Sequence, residues 1–253
     1  MKSLDNAVAL VTGGSGGLGR RIAEKLAERG ARIALGYGSG ADRAEHAAAN
    51  IVDQGGQVMT VQLDLTDEAS TTACIAKIVD RFGRLDLLVN NAGMASGGHD
   101  LPAGDLDAFT PEIFNQMMAV NVTGPYLMAR AAAAELRKSS WGRIVNLGST
   151  IGHGAWGTGA AYAPSKAAVV PLTRYLATAL APDVTVNGVA PGLMEGTVRS
   201  GAAPEAFVKT WRDQALTGQT TSLDDVAAQV VIMCEADTMT GQTVVIDGGI
   251  HFS

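Results

Sequence analysis

The run Ala7-Val8-Ala9-Leu10-Val11-Thr12-Gly13-Gly14-Ser15-Gly16-Gly17-Leu18-Gly19 changes character in a short span. Residues 7–12 are continuously apolar up to Thr12, as a strand buried on both faces of a parallel sheet would be. The glycines then admit a tight turn and let a ligand approach the backbone with no Cβ in the way. From Gly17 to about Arg29 the pattern is helical, with Ile22, Ala23, Leu26 and Ala27 on one face and Gly30 as the stop. Residues 31–37 read as a second strand.

A strand, glycine turn, helix and strand in this order is the setting of a dinucleotide site. Unpaired N–H groups and the helix dipole favour a pyrophosphate at the helix N-terminus. Two glycine spacings fit equally: T-G-x(3)-G-x-G through Thr12, Gly13, Gly17 and Gly19, and T-G-x(2)-G-x(2)-G through Gly13, Gly16 and Gly19. The turn alone does not choose between them.

Outward from this unit the alternation continues. Helices are expected at about 41–54, 68–82, 111–138, 161–181 and 223–236, the long one bent near Gly124-Pro125. Strands are expected at 57–63, 85–90, 142–148, 183–189 and 242–246, with a short helix inside a loop at 193–215. The stretch 94–110 has no periodicity and reads as a mobile loop. Seven strand signals alternating with helices predict an α/β, Rossmann-type doubly wound fold, with a mostly parallel sheet and helices on both faces. No repeat or linker interrupts residues 1–253, so one domain is expected.

Composition narrows the partners. A net charge of -6 disfavours nucleic-acid and anionic-membrane surfaces, and no apolar run reaches the roughly 18 residues of a membrane span. The start Met1-Lys2-Ser3-Leu4-Asp5-Asn6 leaves no room for a signal peptide, and Cys74 and Cys234 read as buried free thiols, which together imply a cytoplasmic protein. His46, His99 and His251 lack metal-ligand spacing, so no metal is expected.

Chemistry concentrates in Ser149 and Tyr162-Ala163-Pro164-Ser165-Lys166. Lys166 follows Tyr162 by one helical turn and shares its face. A free phenol ionises near pH ~10, and a cation within about 4–6 Å is what would let it work as a base near neutrality. Ser149 can donate a hydrogen bond to a substrate oxygen on which charge develops.

Asn90-Asn91-Ala92-Gly93, Asn121, Ser149, Tyr162, Lys166, Pro191-Gly192 and the ending Thr240-Gly241-Gln242-Thr243-Val244-Val245-Ile246-Asp247-Gly248-Gly249 stand in the order seen in short-chain dehydrogenase/reductases. Over essentially its whole length the chain resembles the compact, single-domain branch of that family and is similar to 3-ketoacyl reductases and other ketoreductases. The resemblance implies hydride transfer between a nicotinamide and a ketone or secondary alcohol. It makes Tyr162 the acid/base, Lys166 the cation that also holds the nicotinamide ribose, Ser149 the carbonyl polariser and Asn121 the support of a proton relay. It assigns cofactor contacts to Gly13, Ser15, Gly17, Leu18, Gly19, Tyr37, Ser39, Arg43, Asp64, Leu65, Asn91, Ala92, Gly93, Tyr162, Lys166, Pro191, Gly192 and Met194.

The second strand ends in Leu35-Gly36-Tyr37-Gly38-Ser39 without the acidic residue that would bind the ribose hydroxyls of NAD, while Ser39 and Arg43 could accept a 2′-phosphate. NADP(H) is therefore favoured over NAD(H), although Gly16 stands where many NADP-dependent members carry a basic residue. His153, Trp156 and Leu193 are the candidate substrate contacts, with Met94 and Met194 as an apolar wall. Alanine-rich helices at 111–138 and 161–181 carry more apolar surface than one buried face needs. In the resembling family these two helices pair across a dimer and the C-terminal strand region completes a tetramer, which implies a homotetramer. Two rivals differ in class. A nucleotide-sugar dehydratase or epimerase would show no net consumption of cofactor, and a redox-sensing binding protein would bind it without turnover.

Overall fold

A computed structural model describes residues 1–96, 101, 105–154, 160–197 and 204–252. Its strands are β1 (Val8–Thr12), β2 (Arg32–Tyr37), β3 (Val58–Gln62), β4 (Leu87–Asn90), β5 (Gly142–Leu147), β6 (Val184–Pro191) and β7 (Thr243–Ile246). They form one sheet of order β3-β2-β1-β4-β5-β6-β7, and every pairing is parallel. The helices are α1 (Gly17–Glu28), α2 (Ala41–Asp53), α3 (Glu68–Phe82), α4 (Pro111–Met118), α5 (Gly124–Lys138), α6 (Tyr162–Leu180), α7 (Glu205–Gln214) and α8 (Leu223–Glu235).

Alternation along the strands distributes side chains to two layers, because successive residues of a strand point to opposite faces. Ala9, Val11, Leu87, Val89 and Val145 join Ile22 and Leu26 of α1 and Val226 and Val230 of α8 on one face. Val8, Leu10, Leu88 and Ile144 join Ile78 of α3, Met128 of α5 and Leu176 of α6 on the other. Leu10 is fully buried, and Leu10→Ala would cost about 2–5 kcal/mol.

Helix ends follow their local chemistry. Asp67 caps α3 by accepting from Ala69 N at 2.9 Å. Thr110 caps α4, with Pro111 in its first turn where no N–H is needed. The long helix expected at 111–138 departs from regular α geometry directly beside the expected bend at Gly124-Pro125. The departure is a five-residue π-turn, Ala119–Thr123, ahead of Gly124-Pro125. Pro125 stands in the first turn of α5, where its missing N–H is tolerated, and the wider turn carries Asn121 inward, fully buried.

The order of strands reverses direction between β1 and β4. In open parallel sheets a crevice forms at such a point, beyond the carboxyl ends of the strands. Thr12, Asn91, Ser149 and Pro191 all stand at that edge.

Candidate active site

At the reversal point, the Thr12 hydroxyl accepts from Asn91 N and Ala92 N, each at 3.1 Å. The Asn91 amide donates to the carbonyls of Thr12 at 2.9 Å and Gly13 at 3.3 Å. Gly13 takes a φ of +65°, the left-handed region that favours glycine. A Cβ on Gly19 would run into the Gly13 carbonyl and lie 2.6 Å from Asn91 Nδ2. Asn91 thus braces the glycine turn from behind, while Gly16 has open space around it apart from the Gly13 carbonyl.

No side chain caps the N-terminus of α1. An uncapped helix start behind an open glycine is a cradle suited to the diphosphate of a dinucleotide. Beside it lies a cleft of about 380 Å³ lined by Ser15, Gly16, Gly17, Arg20, Asp42, Arg43 and His46. Arg43 folds back over Gly40, whose added Cβ would lie 2.5 Å from the guanidinium Nη2. Of the residues expected from the sequence, Ser15, Gly17 and Arg43 meet here, whereas Tyr37 and Ser39 lie outside the lining. Arg20, Asp42 and His46 escaped the sequence reading. Their signal was position, within the first two turns of α1 and α2, which line the same cleft.

Asp64 spends its carboxylate locally, accepting from Thr66 N at 2.8 Å and Thr66 Oγ1 at 2.7 Å. Those two bonds hold it below the usual carboxylate range. Leu65 is buried in the sheet-side core and packs where a side chain on Gly124 would stand.

Ser149 follows β5 in extended backbone and caps the short 3₁₀ turn Thr150–Gly152, accepting from Ile151 N at 3.3 Å. Its hydroxyl donates to the Pro191 carbonyl at 3.4 Å. Tyr162 opens α6 and Lys166 lies one turn on, both buried. Lys166 Nζ donates to the carbonyl of Leu147 at 2.9 Å, tying the helix that carries the phenol to the strand that delivers Ser149. A second tie runs through buried amides. Asn90 donates to Asn146 Oδ1 at 2.9 Å, and Asn146 donates to the Thr173 hydroxyl at 3.0 Å.

Asn121 reaches the same region from the π-turn. Its Oδ1 accepts from Met94 N at 2.8 Å, and its Nδ2 donates to Met94 O at 2.8 Å and Ser165 Oγ at 3.0 Å. Ser165 passes the bond on to the Tyr162 carbonyl at 2.7 Å. A Cβ on Gly93 would lie 3.2 Å from both Asn121 Oδ1 and Lys166 Nζ, so these two polar groups converge on one glycine.

Around Tyr162 the walls are apolar. Met117, Ile151, Ala161 and Trp211 form a buried cluster with it, and Met94, Leu193, Phe207 and Ile250 pack against that cluster. Met194 packs instead on the core beside α1 and α8. His153 is exposed at the end of the 3₁₀ turn, while Trp156, like His99, lies outside the described residues. The segment 192–197 is held from outside by Arg212, which donates two bonds of 2.8 Å to the Glu195 carboxylate. The Thr220 hydroxyl and Arg212 together keep Glu195 below the usual carboxylate range. Among the described residues no group of three or more His, Cys, Asp or Glu could hold a metal ion. No described helix is long and apolar enough to cross a membrane.

A family model described as short chain dehydrogenase matches residues 7–206. Among similar proteins, the 3-oxoacyl-[acyl-carrier-protein] reductase FabG of Aquifex aeolicus is 33% identical over 251 residues, covering 98% of each chain. The 2,5-dichloro-2,5-cyclohexadiene-1,4-diol dehydrogenase LinX of Sphingobium indicum is 34% identical, covering 97% of this chain and 96% of the relative. A short chain dehydrogenase from Burkholderia cenocepacia, solved in complex with NADP, superposes with a TM-score of 0.89 at 35% identity, over 98% of this chain and 99% of that one.

Proposed function

Because the chain belongs to the short-chain dehydrogenase family of oxidoreductases, we propose that it moves hydride between a nicotinamide cofactor and a ketone or secondary alcohol, with Tyr162 as the acid/base. The observation that supports this reading is the bond from Lys166 Nζ to Leu147 O, which ties the first turn of α6, with Tyr162 and Lys166, to the end of the strand that leads into Ser149. When bound, the cofactor supplies or accepts the hydride.

The protein's part is proton handling and polarisation. In reduction, Tyr162 gives its phenolic proton to the carbonyl oxygen, and in oxidation it takes the hydroxyl proton of the alcohol. Lys166 places a positive charge on the same helix face, which stabilises the phenolate left behind, and it would also hold the nicotinamide ribose. The Ser149 hydroxyl turns from the Pro191 carbonyl, a long bond, to the substrate oxygen. Asn121 acts through the backbone: both ends of its amide are engaged by Met94 and Ser165, which fixes the segment beside Lys166 through which the relay runs.

The dinucleotide would be held by Gly13, Gly17, Leu18 and Gly19, its nicotinamide end by Ala92, Gly93, Pro191 and Gly192 and its adenine by Asp64. NADP(H) is the cofactor, and its 2′-phosphate would be taken by Arg43, with Arg20 and His46 lining the same cleft. The apolar walls at Met94, Ile151, Leu193 and Phe207 suit a ketone with an uncharged arm. The whole chain works as one domain. Tyr126 and Tyr175, exposed on α5 and α6, supply the face on which subunits pair into a homotetramer. Two free thiols suit a reducing cytoplasm.

A panel of ketones and alcohols followed by nicotinamide absorbance tests the reading. Turnover of at least one with net cofactor change is expected. Cofactor binding without turnover across the panel would overturn it.

A further inference from the structure

The C-terminal turn is built around one buried carboxylate. Asp247 Oδ1 accepts from Gly249 N and Ile250 N, each at 3.0 Å, and Oδ2 accepts from His251 N at 3.0 Å. The His251 ring adds a fourth bond, Nδ1 to Oδ2 at 2.9 Å. A carboxylate only accepts, so Nδ1 carries the hydrogen and the ring is locked in orientation.

This turn touches the catalytic region on two sides. A Cβ on Gly192, at the end of β6, would lie 2.8 Å from the Cβ of Asp247. A Cβ on Gly154 would lie 2.7 Å from His251 Nε2, so the ring fills the space that a side chain there would need. Gly154 belongs to the connection between Ser149 and Tyr162. The same connection is pinned once more at Gly152, whose Cβ would lie 2.6 Å from Ala167 N on α6. Ile250, between Asp247 and His251, packs on the cluster that holds Tyr162 and Ile151.

We infer that His251, oriented by Asp247, is a positioning residue. Its ring is the abutment on which the loop after Ser149 rests at Gly154, and through that loop it shapes the ketone side of the site. The inference rests on the ketone-oxidoreductase reading proposed above. Ser149 has its own anchors at Ile151 N and Pro191 O, so loosening Gly154 leaves the hydroxyl in place. The effect therefore falls on binding of the ketone more than on the chemical step.

The test compares wild type with His251→Phe, His251→Asn and Gly154→Ala. Phe keeps a ring and loses the bond to Asp247 that orients it, Asn keeps a donor near Nδ1 and loses the ring that meets Gly154, and Ala at 154 pushes on the ring from the other side. For the ketone that wild type uses best, His251→Phe and Gly154→Ala should raise KM about fivefold or more, with kcat and the KM for NADPH within about twofold. His251→Asn, which keeps a donor to Asp247 but has no ring to meet Gly154, should show the same rise. Amide hydrogen exchange at 150–154 should quicken about tenfold in His251→Phe and stay put in the core strands. An unchanged ketone KM in folded variants would overturn the inference, as would a parallel rise in both KM values. Should wild type turn over no ketone, the functional reading fails and exchange alone decides. Unchanged protection at 150–154 then overturns the positioning role, and faster exchange confined there supports it.

Discussion

Asn121 grips Met94 by both ends of its amide, accepting from the backbone nitrogen and donating to the backbone oxygen, each at 2.8 Å. A side chain on a helix has taken the place of a strand partner for a residue just past β4. Asn121→Ala would leave the Met94 groups and Ser165 without that partner, and should cost about 2–4 kcal/mol of stability in urea unfolding. Asn121→Asp should fare no better. It keeps the acceptor but turns an oxygen toward the Met94 carbonyl, and the Ser165 hydrogen is already given to Tyr162. A wild-type unfolding midpoint in either variant would remove Asn121 from its positioning role.

Tyr162→Phe deletes one oxygen from a buried, well-packed ring. Turnover should fall by about 10²–10⁴-fold while cofactor affinity, read by fluorescence titration, stays within about threefold. Activity close to wild type would mean that another group moves the proton.

Cofactor preference is read in the cleft between α1 and α2. Arg43→Ala should raise the KM for NADPH about tenfold or more and leave that for NADH nearly unchanged, because only the former carries a 2′-phosphate. Wild type should show the higher kcat/KM with NADPH. A clear NADH advantage would sink the assignment and turn attention to Asp42, which lines the same cleft.

Burial pushes the thiols of both Cys74 and Cys234 up to about 12. The thiolate is the reactive form, so iodoacetamide at pH 8 should leave both untouched in the native protein and modify both in urea. The sign for stability follows. Below pH ~8.5 the thiols are protonated in folded and unfolded chains alike. As pH rises past that value only the unfolded chain loses the protons, so the native state loses ground toward pH 12. Mass spectrometry of the alkylated protein checks the first point, and unfolding free energies at pH 8 and 10 check the second.

Much of this was legible in the chain because the signals are local. The apolar run before Gly13, the Asp67 cap and Pro111 after Thr110 each act within a few residues, and their elements fall where periodicity places them. Tyr162 and Lys166 were legible for the same reason, being one turn apart on one helix. The π-turn at 119–123 was not, since a widened turn answers to Met94 and Ser165 at a distance rather than to its own residues. Asn146 was also missed. Its partners Asn90 and Thr173 become neighbours only when β4, β5 and α6 assemble, 56 and 27 residues away. Arg20 and His46 meet only because the first two turns of α1 and α2 line the same cleft.

The reach from Thr12 to Asn91 bears on how the molecule is made. The bracing of the glycine turn spans 79 residues, because β1 has β4 and not β3 as its inner neighbour. A chain leaving the ribosome can close β1, α1 and β2 early, yet the turn keeps its final shape only once β4 has emerged. Ser149, α6 and the C-terminal turn arrive later still. Biosynthesis therefore finishes the β1–α1 platform before Ser149 and Tyr162 exist, and the turn at Asp247 follows only after all seven strands have been made.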